Sequence, residues 1–255
     1  MLRHIDHTKM GRGVHGWLDS HFHFSFAEYY NPDNIRFGAL RVLNDDTVQV
    51  GAGFSTHPHK DMEILSYVIY GELSHKDSMG NAHTLTRGQV QYMSAGTGIT
   101  HSELNWGSSE LRFMQMWISP DKDDYNPNYG DYRFVWEDRI DKWLPIASSY
   151  DNSESAAPIK VHADVNVYAT VISAGESIDF KIGQNRQAYM TLLEGDAKVE
   201  DIEMVERDAL EIIKQDVTIT TERYAHLYLI EMPYDDECYT QKYGKEKPLS
   251  NGLNQ

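Results

Sequence analysis

Cysteine is almost absent from this chain: Cys238 is the only one in 255 residues. No disulfide can form within the chain, and a thiolate metal cluster is impossible within one copy of it. A lone thiol of this kind is expected to be a small, buried, neutral side chain. Long apolar runs are missing as well. Nowhere do about 18 apolar residues stand together, and Met1-Leu2-Arg3-His4-Ile5-Asp6-His7 contains no apolar stretch of signal-peptide length. A membrane-spanning helix is therefore not expected, and a cytoplasmic location is. Basic residues are also scarce, with 23 Lys and Arg against 39 Asp and Glu for a formal net charge of −16. The deficit runs through the whole chain, 12 basic against 18 acidic residues up to position 140 and 11 against 21 beyond it. Affinity for nucleic acid comes mostly from Lys and Arg displacing counterions, so direct binding to a phosphate backbone or to an anionic membrane surface is disfavoured.

What is present describes a soluble globular protein, 40% hydrophobic and 24% charged, able to bury a substantial core. Glycines at 38, 51, 53, 71, 80, 88, 96, 98 and 107 punctuate short β-branched, aromatic and aliphatic runs, which predicts an all-β antiparallel sandwich or barrel. Residues 64–69, 89–93 and 111–118 read as strands. In the last, Phe113, Gln115 and Trp117 alternate with Met114, Met116 and Ile118, so both faces are apolar, the strand is central, and Gln115 needs a buried partner. Polar stretches at 119–132 and 148–158 bracket a domain boundary. Beyond it, strands are expected at 165–173, 188–193, 210–213, 217–220 and 227–232. This second half echoes the first when Leu193-Glu194-Gly195-Asp196 is set beside Ile69-Tyr70-Gly71-Glu72, and Glu206-Arg207-Asp208-Ala209 beside Thr86-Arg87-Gly88-Gln89. That alignment puts Lys181, Gly183, Thr221 and Arg223 opposite His57, His59, His101 and Glu103, so the second half keeps no metal ligands. The division is 1–145, 146–240 and a loosely held tail at 241–255.

The chemistry lies in two pairs. His57 with His59, and His101 with Glu103, are each two residues apart in strand-like stretches, so each pair points to one face and two neighbouring strands could aim three imidazoles and a carboxylate at one point. Pro58 stiffens the first pair. Glu63 competes with Glu103 for the fourth position, but it lies four residues past His59, on the order of 13 Å along an extended strand, and needs a bend to reach. Such a set suits one divalent transition metal, iron first and also nickel, manganese, cobalt, copper or zinc. Four protein ligands on an octahedral ion leave two open positions. His4, His7, His15, His162 and His226 read as surface or satisfied core residues. His75 and His83 read as turn organisers.

The joined string is far more specific than one His-x-His. Gly51 to Gly71 resembles the first cupin motif, and Gly88, Ser94-Ala95-Gly96, His101 and Asn105 stand near the spacing of the second. With His57-Pro58-His59, Tyr67-Val68-Ile69-Tyr70-Gly71-Glu72, His75-Lys76-Asp77-Ser78-Met79-Gly80-Asn81 and Met93-Ser94-Ala95-Gly96-Thr97-Gly98-Ile99-Thr100-His101-Ser102-Glu103, the chain resembles the pirin family in its bacterial quercetinase-like branch. Phe22-His23 departs from that pattern. The resemblance implies a bicupin, two antiparallel jelly-roll barrels packed together, with the metal in the first barrel and a degenerate second one. It assigns the fourth ligand to Glu103 and leaves Glu63 a supporting role. It also implies a quercetin 2,3-dioxygenase-like activity in which a small aromatic chelating substrate of flavonol type meets O2, its ring opens with loss of CO, and Glu103 is the general base. The alternative it carries is a metal-loaded regulator that docks on a protein partner without catalysis. Phe54, Met93, Gln115 and Trp117 are the candidate pocket residues, with core packing as their competing role.

Overall fold

The structure, a computed structural model, describes residues 1–243. Two β-barrels pack together as a bicupin. The expected strands form where branched and aromatic side chains alternate: 64–69 lies within Glu63–Tyr70, 111–118 is Leu111–Ile118, and in the second half 188–193 lies within Arg186–Val199, 217–220 is Val217–Thr220 and 227–232 lies within Ala225–Pro233. In the first barrel a seven-stranded sheet runs Asn128–Tyr132, Val90–Ser94, Glu63–Tyr70, Leu111–Ile118, Leu40–Val48, Leu18–Phe22, Gly11–Val14. A four-stranded sheet, Gly53–His59, Ile99–Leu104, Leu73–Asp77, Ala82–Leu85, completes it. The polar stretch 119–132 therefore carries an edge strand of this barrel rather than only a linker.

Strand Leu111–Ile118 buries both faces, as its composition requires. Phe113 joins a cluster inside the first barrel with Val48, Val68, Leu73 and Leu111. Met114, Met116 and Ile118 face the other way, into an apolar layer shared with Ile146, Val167, Tyr189, Tyr228 and Ile230 of the second half. Burying each such side chain is worth about 1.5–3 kcal/mol relative to leaving it exposed, so this shared layer joins the two barrels into one unit.

Several expectations need correction. Leu2–Ile5 belongs to the second barrel, not the first, because it pairs antiparallel with Ala209–Ile213, Leu2 opposite Ile212 and Ile5 opposite Ala209. The sheets are not wholly antiparallel: Leu144–Ser149 runs parallel to Ile159–Val161. The start of the expected tail is helical, Asp236–Tyr243, and Lys242 Nζ binds the buried Glu211 carboxylate at 2.5 Å; residues 244–255 lie outside the described residues. The lone cysteine is buried as expected, its thiol donating to the Arg36 carbonyl at 3.3 Å.

The two barrels can now be superposed by pairing rather than by eye. Gly71 and Gly195 both take the left-handed conformation, φ +81° and +89°, and at each a Cβ would collide with a carbonyl oxygen of the adjoining chain, that of Glu110 or of Tyr224. Gly88 N donates to Val68 O as Arg207 N donates to Leu192 O, which shifts the expected match there by one residue. Val217 pairs with Phe180 as His101 pairs with His57, and Ile219 pairs with Val199 as Glu103 pairs with His75. The second barrel's counterparts of His57, His59, His101 and Glu103 are thus Phe180, Ile182, Val217 and Ile219, in place of Lys181, Gly183, Thr221 and Arg223. All four are buried in one apolar cluster.

Candidate metal centre

Strands Gly53–His59 and Ile99–Leu104 lie side by side with His57 opposite His101 and His59 opposite Ile99. This register brings the ligand nitrogens of His57, His59 and His101 within 4.8 Å of one another. Ring centroids are 4.6 Å apart for His57 and His101, 4.8 Å for His57 and His59, and 4.9 Å for His59 and His101. His57 Nδ1 bonds the Ser55 carbonyl at 2.8 Å, which fixes the ring and turns Nε2 toward His101 Nε2, 3.1 Å away. Burial, helped by the neighbouring imidazoles, pushes His59 and His101 down to about 3, so both are neutral and carry free lone pairs at neutral pH. Three imidazole nitrogens converging on one point fit a borderline divalent ion.

Glu103 is close by but differently engaged. A bulge between His101 and Glu103 shifts the register so that Glu103 pairs with Phe54, re-aiming the carboxylate into the barrel. There Ser66 Oγ donates to Oε1 at 2.7 Å, Gln91 Nε2 donates to the same oxygen, and Gln115 Nε2 donates to Oε2 at 2.5 Å. Burial pushes this carboxyl up from its ordinary value, opposed by those neutral donors and the nearby imidazoles. Its nitrogen neighbours are His75 and His101, with which it forms a second group inside 4.8 Å. Glu63 faces elsewhere. It accepts from Tyr92 Oη at 2.5 Å and Ser94 Oγ at 2.6 Å and meets the His162 backbone N–H at 3.2 Å, so it ties the two halves together.

The four pocket candidates separate. Trp117 stands over His59, centroids 4.8 Å apart at 83°. Gln115 lies against Glu103. Met93 is packed with Ile64, Ala95 and Ile99, and Phe54 packs edge-on against Trp17. An apolar-rimmed cavity of about 470 Å³ opens beside His59, with Pro58, Ile99 and Thr100 among its walls.

Several residues of this centre escaped the sequence reading. His75 is buried, stacks on Tyr129 at 4.5 Å and 16°, bonds Asp77 at 3.2 Å, and lies 5.4 Å from His101. Asp77 is the turn organiser, accepting from Met79 N, Asn81 N and Asn81 Nδ2. Ser66 and Gln91 carried the same signal as Gln115, a polar residue in the middle of an apolar strand. Asp46, paired with Ser20 inside the barrel, is pushed up to about 7 by burial.

A three-histidine cluster that could hold a metal ion in the first of two cupin barrels, with an apolar core in the second, defines a bicupin with one candidate centre of this kind among the described residues. The chain belongs to the pirin family: residues 5–118 match the Pirin model and residues 146–232 match the quercetinase C-terminal cupin domain. It is 39% identical over 228 residues to a protein of Escherichia coli K12 named quercetin 2,3-dioxygenase, covering 89% of this chain and 96% of that one. It is likewise 39% identical over 224 residues to a pirin-like protein of Caulobacter vibrioides, 88% of this chain and 96% of the relative. Among solved structures, the bacterial pirin YhhW of Escherichia coli in complex with nickel(II) superposes with a TM-score of 0.84 at 35% identity, over 92% of this chain and 100% of that one. No helix among the described residues is long and apolar enough to cross a membrane.

Proposed function

We propose that the protein is a metal-dependent dioxygenase that opens a flavonol-type ring with O2 and releases CO. The observation that carries this reading is the pairing of three clustered imidazoles with a buried carboxylate held by uncharged donors. The names of the relatives support the substrate class. His57, His59 and His101 would hold the ion, with Glu103 as the fourth ligand, and iron is the ion we assign. A bound ion of this kind supplies Lewis acidity toward a chelating hydroxyl and carbonyl and an open place for dioxygen.

The protein's own part is to position and to move a proton. Glu103 is the base that takes the substrate hydroxyl proton; because a bound cation lowers the basicity of a carboxylate, this requires it to loosen its contact with the ion, while Ser66, Gln91 and Gln115 keep it in place. Trp117 and the wall beside His59 would exclude water from the aromatic substrate. The test pairs metal analysis of purified protein with oxygen uptake on quercetin. We expect Glu103→Gln to keep its metal and lose at least about 100-fold in turnover, the usual scale of a general base. Wild-type turnover in that variant would refute the role of Glu103. A regulator that only binds a protein partner would show no oxygen uptake above free metal.

A further inference from the structure

The same kind of ligand set recurs at the other end of the chain's charge map, where the N-terminal segment meets the second barrel. Asp208 closes the turn before strand Ala209–Ile213 and is 3% exposed. Each of its carboxylate oxygens faces one imidazole: His7 Nδ1 is 2.8 Å from Oδ1, and His4 Nε2 is 2.8 Å from Oδ2. The Asp6 carboxylate joins them, its ligand atom within 4.8 Å of those of His7 and Asp208. We infer that Asp6, His7 and Asp208 form a second site for a divalent transition-metal ion, distinct from the three-histidine centre, with His4 outside it on the other oxygen of Asp208.

The donor chemistry favours a borderline ion such as zinc, cobalt or nickel over calcium or magnesium, because one of the three donors is an imidazole nitrogen. The separations suit it. Ligands about 2.0–2.1 Å from a tetrahedral ion lie about 3.3 Å from one another, so the His7 nitrogen need retreat from Asp208 by only about half an ångström. Charge balances as well. The Thr8 hydroxyl, then the Thr8 amide, hold Asp6 down at about 2. Asp208 is held below its ordinary value by the His7 and Val205 amides and the two imidazoles, against the opposing effect of burial. Two carboxylates thus meet one dication once Lys9, 3.4 Å from Asp6, swings aside, and the His7 ring takes the tautomer with its proton on Nε2 so that Nδ1 can face the ion. Access is open, since His4 and Asp6 line a cavity of about 390 Å³. An ion here would clamp strand Leu2–Ile5 and the turn after it to the second barrel, adding to the His7 amide, which donates to Asp208 Oδ1 at 3.0 Å.

The experiment is equilibrium dialysis of the chelator-stripped full chain against micromolar zinc(II), read as zinc per protein. The wild type is expected to bind two equivalents, the His57→Ala/His59→Ala variant one, His7→Ala one, and the three changes together none. Zinc should also slow amide exchange in residues 2–9 of the His57→Ala/His59→Ala variant. Should that variant fail to fold, His7→Ala in the otherwise intact chain carries the test alone, and its oxygen uptake should match the wild type. Equal zinc on His7→Ala and wild type, with unchanged exchange at 2–9, overturns the proposal.

Discussion

The two barrels share a frame and differ in what fills it. In the first, the inward positions of strand Glu63–Tyr70 read Ile64, Ser66, Val68, and those of Leu111–Ile118 read Phe113, Gln115, Trp117. The apolar interior is cut in two, with Val68 and Phe113 in one cluster and Ile64 and Trp117 in another. Between them lies the layer of Ser66, Gln91 and Gln115 that cradles Glu103. In the second barrel, pairing puts Met190 in the place of Ser66, Leu210 in that of Gln91 and Leu229 in that of Gln115. There the interior is one continuous cluster. The lesson is that the two barrels differ by more than the ligands: the three polar residues that cradle Glu103 also have hydrocarbon counterparts.

That contrast can be broken deliberately. Giving the first barrel the second one's filling, by Ser66→Met with Gln91→Leu and Gln115→Leu, strips Glu103 of its donors and leaves a buried carboxylate uncompensated. We expect a loss of about 3–5 kcal/mol in urea unfolding. Adding Glu103→Ile, the residue at the matching place in the second barrel, should recover most of it. If the fourfold variant is no more stable than the threefold one, the cradle does not exist to hold Glu103. The reverse exchange is smaller. Leu229→Gln places an amide among Met190, Leu210 and Leu192 with no partner, at a cost of about 2–3 kcal/mol; a neutral result would show that the second core admits water.

Acid should probe both halves at once. Burial pushes His23, which bonds Tyr189, and His226, which bonds Tyr67, down to about 4 from an ordinary 6.5. The unfolded chain therefore binds more protons between those values. The stability these two contribute is full above about pH 6.5 and declines as pH falls toward 4 in the metal-free protein. Urea midpoints that stay flat from pH 7 to 4.5 would contradict the buried neutral state of both rings.

Much of this was legible in the chain. The glycine-punctuated strands, the central place of Leu111–Ile118 and the convergence of His57, His59 and His101 follow from a period of two, which sequence displays directly. What sequence hid depends on pairing at a distance. The placement of Leu2–Ile5 rests on a partner some 200 residues away. The mismatch between the barrels arose because the connection from Val90–Ser94 to His101 is longer than its counterpart from Ala209–Ile213 to Val217, so an alignment by eye drifts. His75 looked like a turn residue because Asp77, two positions on, does organise the turn. Only the neighbouring strand reveals that the imidazole points inward, at Glu103.

The crossing of Leu2–Ile5 onto Ala209–Ile213 also sets a clock. A ribosome adds about 5–20 residues per second, so this strand leaves the exit tunnel on the order of 10–40 s before its partner is made. Until Ala209–Ile213 has been made, Leu2–Ile5 lacks the strand it pairs with, so the second barrel's edge closes only once both ends of the chain are present.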